Sequence, residues 1–211
     1  MASSTKKLPP YNRSMPGKRN HGEKVKAHAL KVGEITWAWN RLQASFCLVF
    51  CDFINTEGKK IGSTIWNAIA SDKTQREVLL CLIEKLSIAE EFKDKYKLQF
   101  DNLKYALKEA DELSSYRNAF VHTPMLQNIN DGSVSPFTGT APKKYTDKIK
   151  ISYQSKTGFK DLLGDIIQLE QFVSWTHFSF SVENLASRDK PLSRVLQPQS
   201  LAKKNTKFPK R

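Results

Sequence analysis

The chain has 211 residues, 34 Lys and Arg against 21 Asp and Glu, and a formal charge of +13. That length suits one domain, two at most, and buries a core without disulfide staples. A hydrophobic share of 39% excludes a chain disordered throughout, and no apolar run reaches the roughly 18–20 residues of a membrane span. The best run, Phe46 to Ile54, is broken by Asp52, and the first ten residues lack the apolar stretch of a secretory signal. Three cysteines, Cys47, Cys51 and Cys81, form no CxxC pair, which fits a reducing, cytoplasmic setting. Cys47 and Cys51 stand four apart on one helix face and read as small core residues rather than a metal pair.

Residues 1–26 read as a basic tail, with three Pro, two Gly and no apolar periodicity. Seven basic residues against Glu23 give it +6. Residues 189–211 form a second such tail, again seven basic residues against one acidic. Residues 27–188 between them carry only +1.

That middle part predicts helices. Ala29, Val32, Trp39, Leu42, Phe46, Val49 and Phe53 recur at steps of mostly three and four, one stripe of a long helix ending near Asn55–Gly58. Ser63–Ala70 is a short helix carrying Ile65, Trp66 and Ile69. Thr74 with Glu77 reads as a capping box for a helix turning Val78, Leu79, Leu82, Ile83 and Leu86 inward. A periodic stretch then runs from Ala89 to about His122 through Phe92, Tyr96, Leu103, Leu107, Ala110, Leu113, Tyr116 and Phe120, and Pro124 ends it. Residues 124–157 are broken by Pro and Gly and predict a loop with one short strand pair, its second strand at 148–154. A last helix, about Phe159 to Ala186, carries Leu162, Ile166, Leu169, Phe172, Val173, Trp175 and Phe178 among its apolar residues. The fold class is therefore all-α: a four- to five-helix bundle with a small β-hairpin and loop insertion before the last helix.

The string that could carry chemistry closes the long fourth helix. Arg117-Asn118-xxx-His122 is the only Arg-x4-His in the chain. Histidine exchanges protons near neutrality, and arginine offers a fixed fork of donors to phosphate oxygens. At 100° per residue Asn118 and His122 share a face and Arg117 flanks it. No acidic cluster or His/Cys set stands near enough in sequence to suggest a metal, so the chemistry expected is metal-independent and without a cofactor. Cleavage of RNA through its own 2′-hydroxyl needs only acid–base groups and charge stabilisation. The plainer alternative is structural: an Arg near a helix C-terminus suits the macrodipole, and an Asn or His there caps free carbonyls.

A helical bundle with RNxxxH at the end of a long late helix, then a polar insertion and a closing helix, resembles the HEPN superfamily. The opening helix, with Trp37, Trp39, Asn40 and Leu42, is similar to bacterial members. The resemblance covers about residues 28–186 as an architecture and Arg117, Asn118 and His122 as a motif. It implies a homodimer that joins two motifs into one metal-independent endoribonuclease site, with His122 as acid/base, Arg117 on the phosphate and Asn118 orienting them. It also implies a toxin or anti-phage defence component, with an antitoxin protein as partner. Members often carry Gly just after the His and some a Tyr two places on; this chain has Thr123 and Pro124. Some HEPN domains are catalytically silent and bind protein or nucleic acid, which is the alternative expectation.

Residues 143–160 hold six Lys against Asp147, with aromatic residues between them. Lys143, Lys144, Tyr145, Lys148, Lys150 and Tyr153 predict an RNA grip of phosphate contacts and base stacking. An alternating hairpin with Lys on its wet face explains the same pattern without RNA. Trp39 and Trp66 fall on core stripes, whereas Trp37 is off-stripe and suits a dimer face. His28 and His177 lie within helices and read as structural.

Overall fold

In the computed structural model the described residues are 19–54, 60–128, 134–136 and 158–185. They form five helices and one hairpin: α1 (Arg19–Phe53), α2 (Lys60–Ala68), α3 (Asp72–Ile88), α4 (Lys97–His122), β1 (Met125–Gln127), β2 (Val134–Pro136) and α5 (Gly158–Leu185). The all-α bundle expected from periodicity is what the chain builds.

The order of cross-helix contacts gives the directions. Arg41 pairs with Glu170 at 3.2 Å and Asp52 with His177 at 2.5 Å, and Phe53 meets Phe180, so α1 and α5 run parallel. Phe120 meets Phe159 at one end of α4 while Phe100 meets Phe53 and Phe180 at the other, so α4 runs antiparallel to both. Arg76 bonds Asp111 and Lys104 bonds Ser87, so α3 lies antiparallel along α4. The core between them is the predicted one: Trp39, Leu42, Phe46 and Val49 from α1, Leu79 and Ile83 from α3, Leu103, Leu107, Ala110, Leu113 and Phe120 from α4, and Ile166, Leu169 and Val173 from α5 are all buried. An aromatic cluster of Phe53, Tyr96, Phe100 and Phe180 closes the end opposite His122.

Several boundaries move. Helix α1 begins at Arg19, inside the stretch 1–26 expected as tail, because nothing in Arg19–Ala27 forbids the next turns back from the stripe. The cap of α3 is Ser71, not Thr74: the Ser71 Oγ accepts from the Thr74 backbone N–H at 3.1 Å, and the two hydroxyls bond each other. Helix α4 starts at Lys97 rather than Ala89, since Ala89 takes an extended conformation (ψ 130°) and the chain crosses to α4 through turns at 89–96. Within the insertion a strand pair joins 125–127 to 134–136 antiparallel, Leu126 opposite Ser135. Residues 148–154 lie outside the described residues. Val78 is exposed, against its expected inward place, and Trp175 and Phe178 on α5 are exposed too.

Gly62 sets how closely α2 approaches α1. A Cβ there would stand 2.8 Å from the Cys51 Sγ and 3.1 Å from its Cα. The backbone atom cannot yield, so Gly62→Ala forces the helices apart, and overpacking of this kind costs about 1–3 kcal/mol. We expect a fall of several degrees in the thermal midpoint by circular dichroism; an unchanged midpoint would mean the contact is looser than this.

Cys47 and Cys51 share the face as predicted, their sulfurs 4.0 Å apart. Burial, then the neighbouring Cys51, pushes the Cys47 thiol up to about 11. It stays protonated at neutral pH and is a poor nucleophile or metal ligand there.

Candidate active site

Helix α4 ends where its sequence says it must. Thr123 turns extended (ψ 124°), its hydroxyl donating back to the Ala119 carbonyl, and Pro124 forbids another helical turn. His122 is thus the last helical residue. Its side chain is exposed and makes no hydrogen bond among the described residues.

Arg117 behaves differently. It is half-buried and turns toward α1, its Cζ 5.6 Å from the centre of the Trp39 ring. Its Nη1 donates to the Asn118 Oδ1 at 2.8 Å, while its Nε is buried with no acceptor among the described residues. Among the described residues no carboxylate stands within ion-pair distance of it. Burial lowers the Arg117 pKa from its ordinary value; the Asp72 carboxylate opposes that shift and the Arg76 charge adds to it. A guanidinium held in this way is costly to bury and keeps a demand for an anion.

What holds Arg117 is a cluster drawn from three helices. Trp39 is buried and donates its Nε1–H to the Asp72 Oδ2 at 2.7 Å. Arg76, only 3% exposed, lies 5.5 Å from the same ring and gives its Nε and Nη2 to the Asp111 Oδ1 at 2.9 and 2.7 Å. Its Nη1 is buried without a partner among the described residues. Trp39 was expected as core; that it also forms the surface on which two arginines rest has no local signal, since its partners stand 33 to 78 positions away.

The structure therefore joins Arg117 to Asn118 but not to His122. Asn118 and His122 share the helix face at i and i+4, and Arg117 departs from it toward Trp39. His28, from α1, stacks on Phe120 with ring centres 5.7 Å apart and brings a second imidazole to this end of the bundle. Lys31 lies over Phe159 at 5.4 Å beside it. Burial, then the charge of Lys31, lowers the His28 pKa, which favours the neutral ring at pH 7. The folded state thus binds the proton less readily than the unfolded chain, so the contribution of His28 is fully present above pH 6.5 and is lost as pH falls below it. His28→Gln should flatten the stability profile in that acidic window, as urea titrations at stepped pH would show.

Among the described residues no group of three or more His, Cys, Asp or Glu side chains is placed to hold a metal ion. No helix among them is long and apolar enough to cross a membrane. Lys143, Lys144, Tyr145, Lys148, Lys150 and Tyr153, the expected RNA grip, lie outside the described residues. No protein-family model matches the chain, and no curated protein or solved structure matches it either.

Proposed function

We propose that the protein is a metal-independent endoribonuclease of HEPN type, acting at the end of α4. The observation that supports this most is an exposed His122 just beyond a half-buried Arg117, neither of which forms an ion pair among the described residues. His122 exchanges the proton with the 2′-hydroxyl or the leaving oxygen. Arg117, fixed by Asn118 and the Trp39 ring, supplies positive charge to the phosphate as negative charge builds there. The basic segment around Lys143–Tyr153 grips the strand. The resemblance extends the proposal to a homodimer and to a toxin or defence role with an antitoxin partner.

The test is cleavage of single-stranded RNA in EDTA by wild type and His122→Ala. Loss of cleavage in the variant, with helicity unchanged by circular dichroism, is the expected result. A wild type that leaves RNA intact, or a variant that cleaves equally well, overturns the reading.

A further inference from the structure

Four buried side-chain polar atoms find no hydrogen-bond partner among the described residues: the Gln43 Nε2 and Oε1, the Arg76 Nη1 and the Arg117 Nε. A buried donor or acceptor without a partner costs its full desolvation, so folded chains keep few of them. These four gather round one ring. The Arg76 and Arg117 guanidinium carbons lie 5.5 and 5.6 Å from the centre of the Trp39 indole. Gln43 follows Trp39 by one turn on α1, and Arg76 follows Asp72 by one turn on α3. Helices α1 and α3 run parallel, each being antiparallel to α4, and the bond between Trp39 and Asp72 sets them in step. Gln43 and Arg76 therefore stand at one level.

The neighbouring carboxylates are already engaged. Asp72 takes the Trp39 N–H, and Asp111, from the exposed side, takes the Arg76 Nε and Nη2. Arg117 gives its Nη1 to Asn118, which leaves the Nε–Nη2 edge of its fork without an acceptor among the described residues. What remains is an excess of donors: that edge, the Arg76 Nη1 and the Gln43 Nε2, against one acceptor, the Gln43 Oε1. Burial, joined by the Arg76 charge and opposed by Asp72, lowers the Arg117 pKa, and a bound anion relieves the first two. A matching ligand has acceptor oxygens for three separate donors and one hydrogen to give back. A phosphate group has both, because its second ionisation lies near neutrality, at a pKa of about 6 in an ester. A carboxylate has too few oxygens, and neither it nor sulfate has a proton to give.

We infer that Gln43, Arg76 and Arg117 form a phosphate-binding site on the Trp39 ring, with Arg117 at its mouth. Arg76 is 3% and Gln43 9% exposed, so the phosphate enters past the half-buried Arg117, which one hydrogen bond, to Asn118, holds. Enclosure sets the class of ligand. A phosphate with chain on one side, or on none, reaches Gln43. An internal phosphodiester has chain on both sides and meets Arg117 only from solvent. The site therefore takes orthophosphate or a terminal phosphomonoester. A phosphate bound here competes with RNA for the Arg117 guanidinium in the reaction proposed above, but the binding itself does not rest on that reading.

Calorimetric unfolding of the full chain at about pH 7, with ionic strength held constant by NaCl, reads the binding. Orthophosphate at about 10 mM should raise the thermal midpoint by several degrees. Sulfate should not, nor should the dinucleoside monophosphate ApA, whose only phosphate is internal. Adenosine 5′-monophosphate distinguishes the sources: a shift with it as well identifies a phosphate end as the ligand, and a shift with orthophosphate alone identifies the free ion. Gln43→Leu removes two buried unpartnered atoms, so without phosphate it should unfold no earlier than wild type, and it should lose the response. Arg76→Met should lose the response too. His122→Ala should keep it whether or not RNA is cleaved, so the two proposals fail separately. A wild type indifferent to orthophosphate, or a shift that survives in both Gln43→Leu and Arg76→Met, overturns the site. An equal shift with sulfate overturns its assignment to phosphate, and an equal shift with ApA overturns its enclosure.

Discussion

Trp39→Ala should cost about 3–5 kcal/mol of folding stability, the range for removing a large buried aromatic side chain. Trp39 is 1% exposed, so the whole indole leaves a cavity rather than a surface dent. The loss goes beyond packing: Asp72 loses the donor 2.7 Å from its carboxylate, and Arg76 and Arg117 both lose the ring they rest against. Trp39→Phe separates most of these effects, because it keeps a ring and removes the bond to Asp72 with only part of the indole volume. We expect it to cost roughly 1–3 kcal/mol, the value of a hydrogen bond to a charged group plus some lost volume. Urea unfolding followed by circular dichroism reads both. An Ala variant within 1 kcal/mol of wild type would mean that Trp39 does not hold this end of the bundle together.

The second large effect is asymmetric. Asp111 and Arg76 form one ion pair, but the Asp111 side chain is 54% exposed and the Arg76 side chain 3%. Asp111→Ala strands a buried guanidinium whose Nη1 already lacks a partner, and should cost about 3 kcal/mol or more. Arg76→Met leaves a carboxylate that water can solvate and fills the space with a flexible apolar chain, so it should cost about 1 kcal/mol or less. The double variant should resemble Arg76→Met alone, a strong departure from additivity. Equal costs for the two single variants would show that burial does not govern this pair.

Much of the fold is legible because helix burial has a period. Phe46, Val49, Leu103 and Leu107 fall on stripes that nothing but a core explains, and they are buried. Trp175 and Phe178 escape that logic: α5 is apolar on several sides, and period alone does not say which side meets the core. Ser71 and Thr74 are both good caps three positions apart, and the backbone, not the residue type, chooses between them. At the site, the string Arg117–Asn118–His122 stands out by its spacing. The direction Arg117 takes does not, since it is set by Trp39, Asp72 and Arg76, which reach it only through the packing of α1 and α3 against α4.

The 35-residue α1 is in effect two helices end to end. From Ile35 onward its inner face is locked into the core, while nearly every residue from Gly22 to Glu34 is exposed, His28 and Val32 excepted. The first part is held largely by its own backbone bonds, which are marginal in water over so short a span. Its amides should exchange with solvent by fraying, and those beyond Ile35 only when the whole bundle opens. The boundary at Ile35 should therefore appear as a step in amide protection along a single unbroken helix.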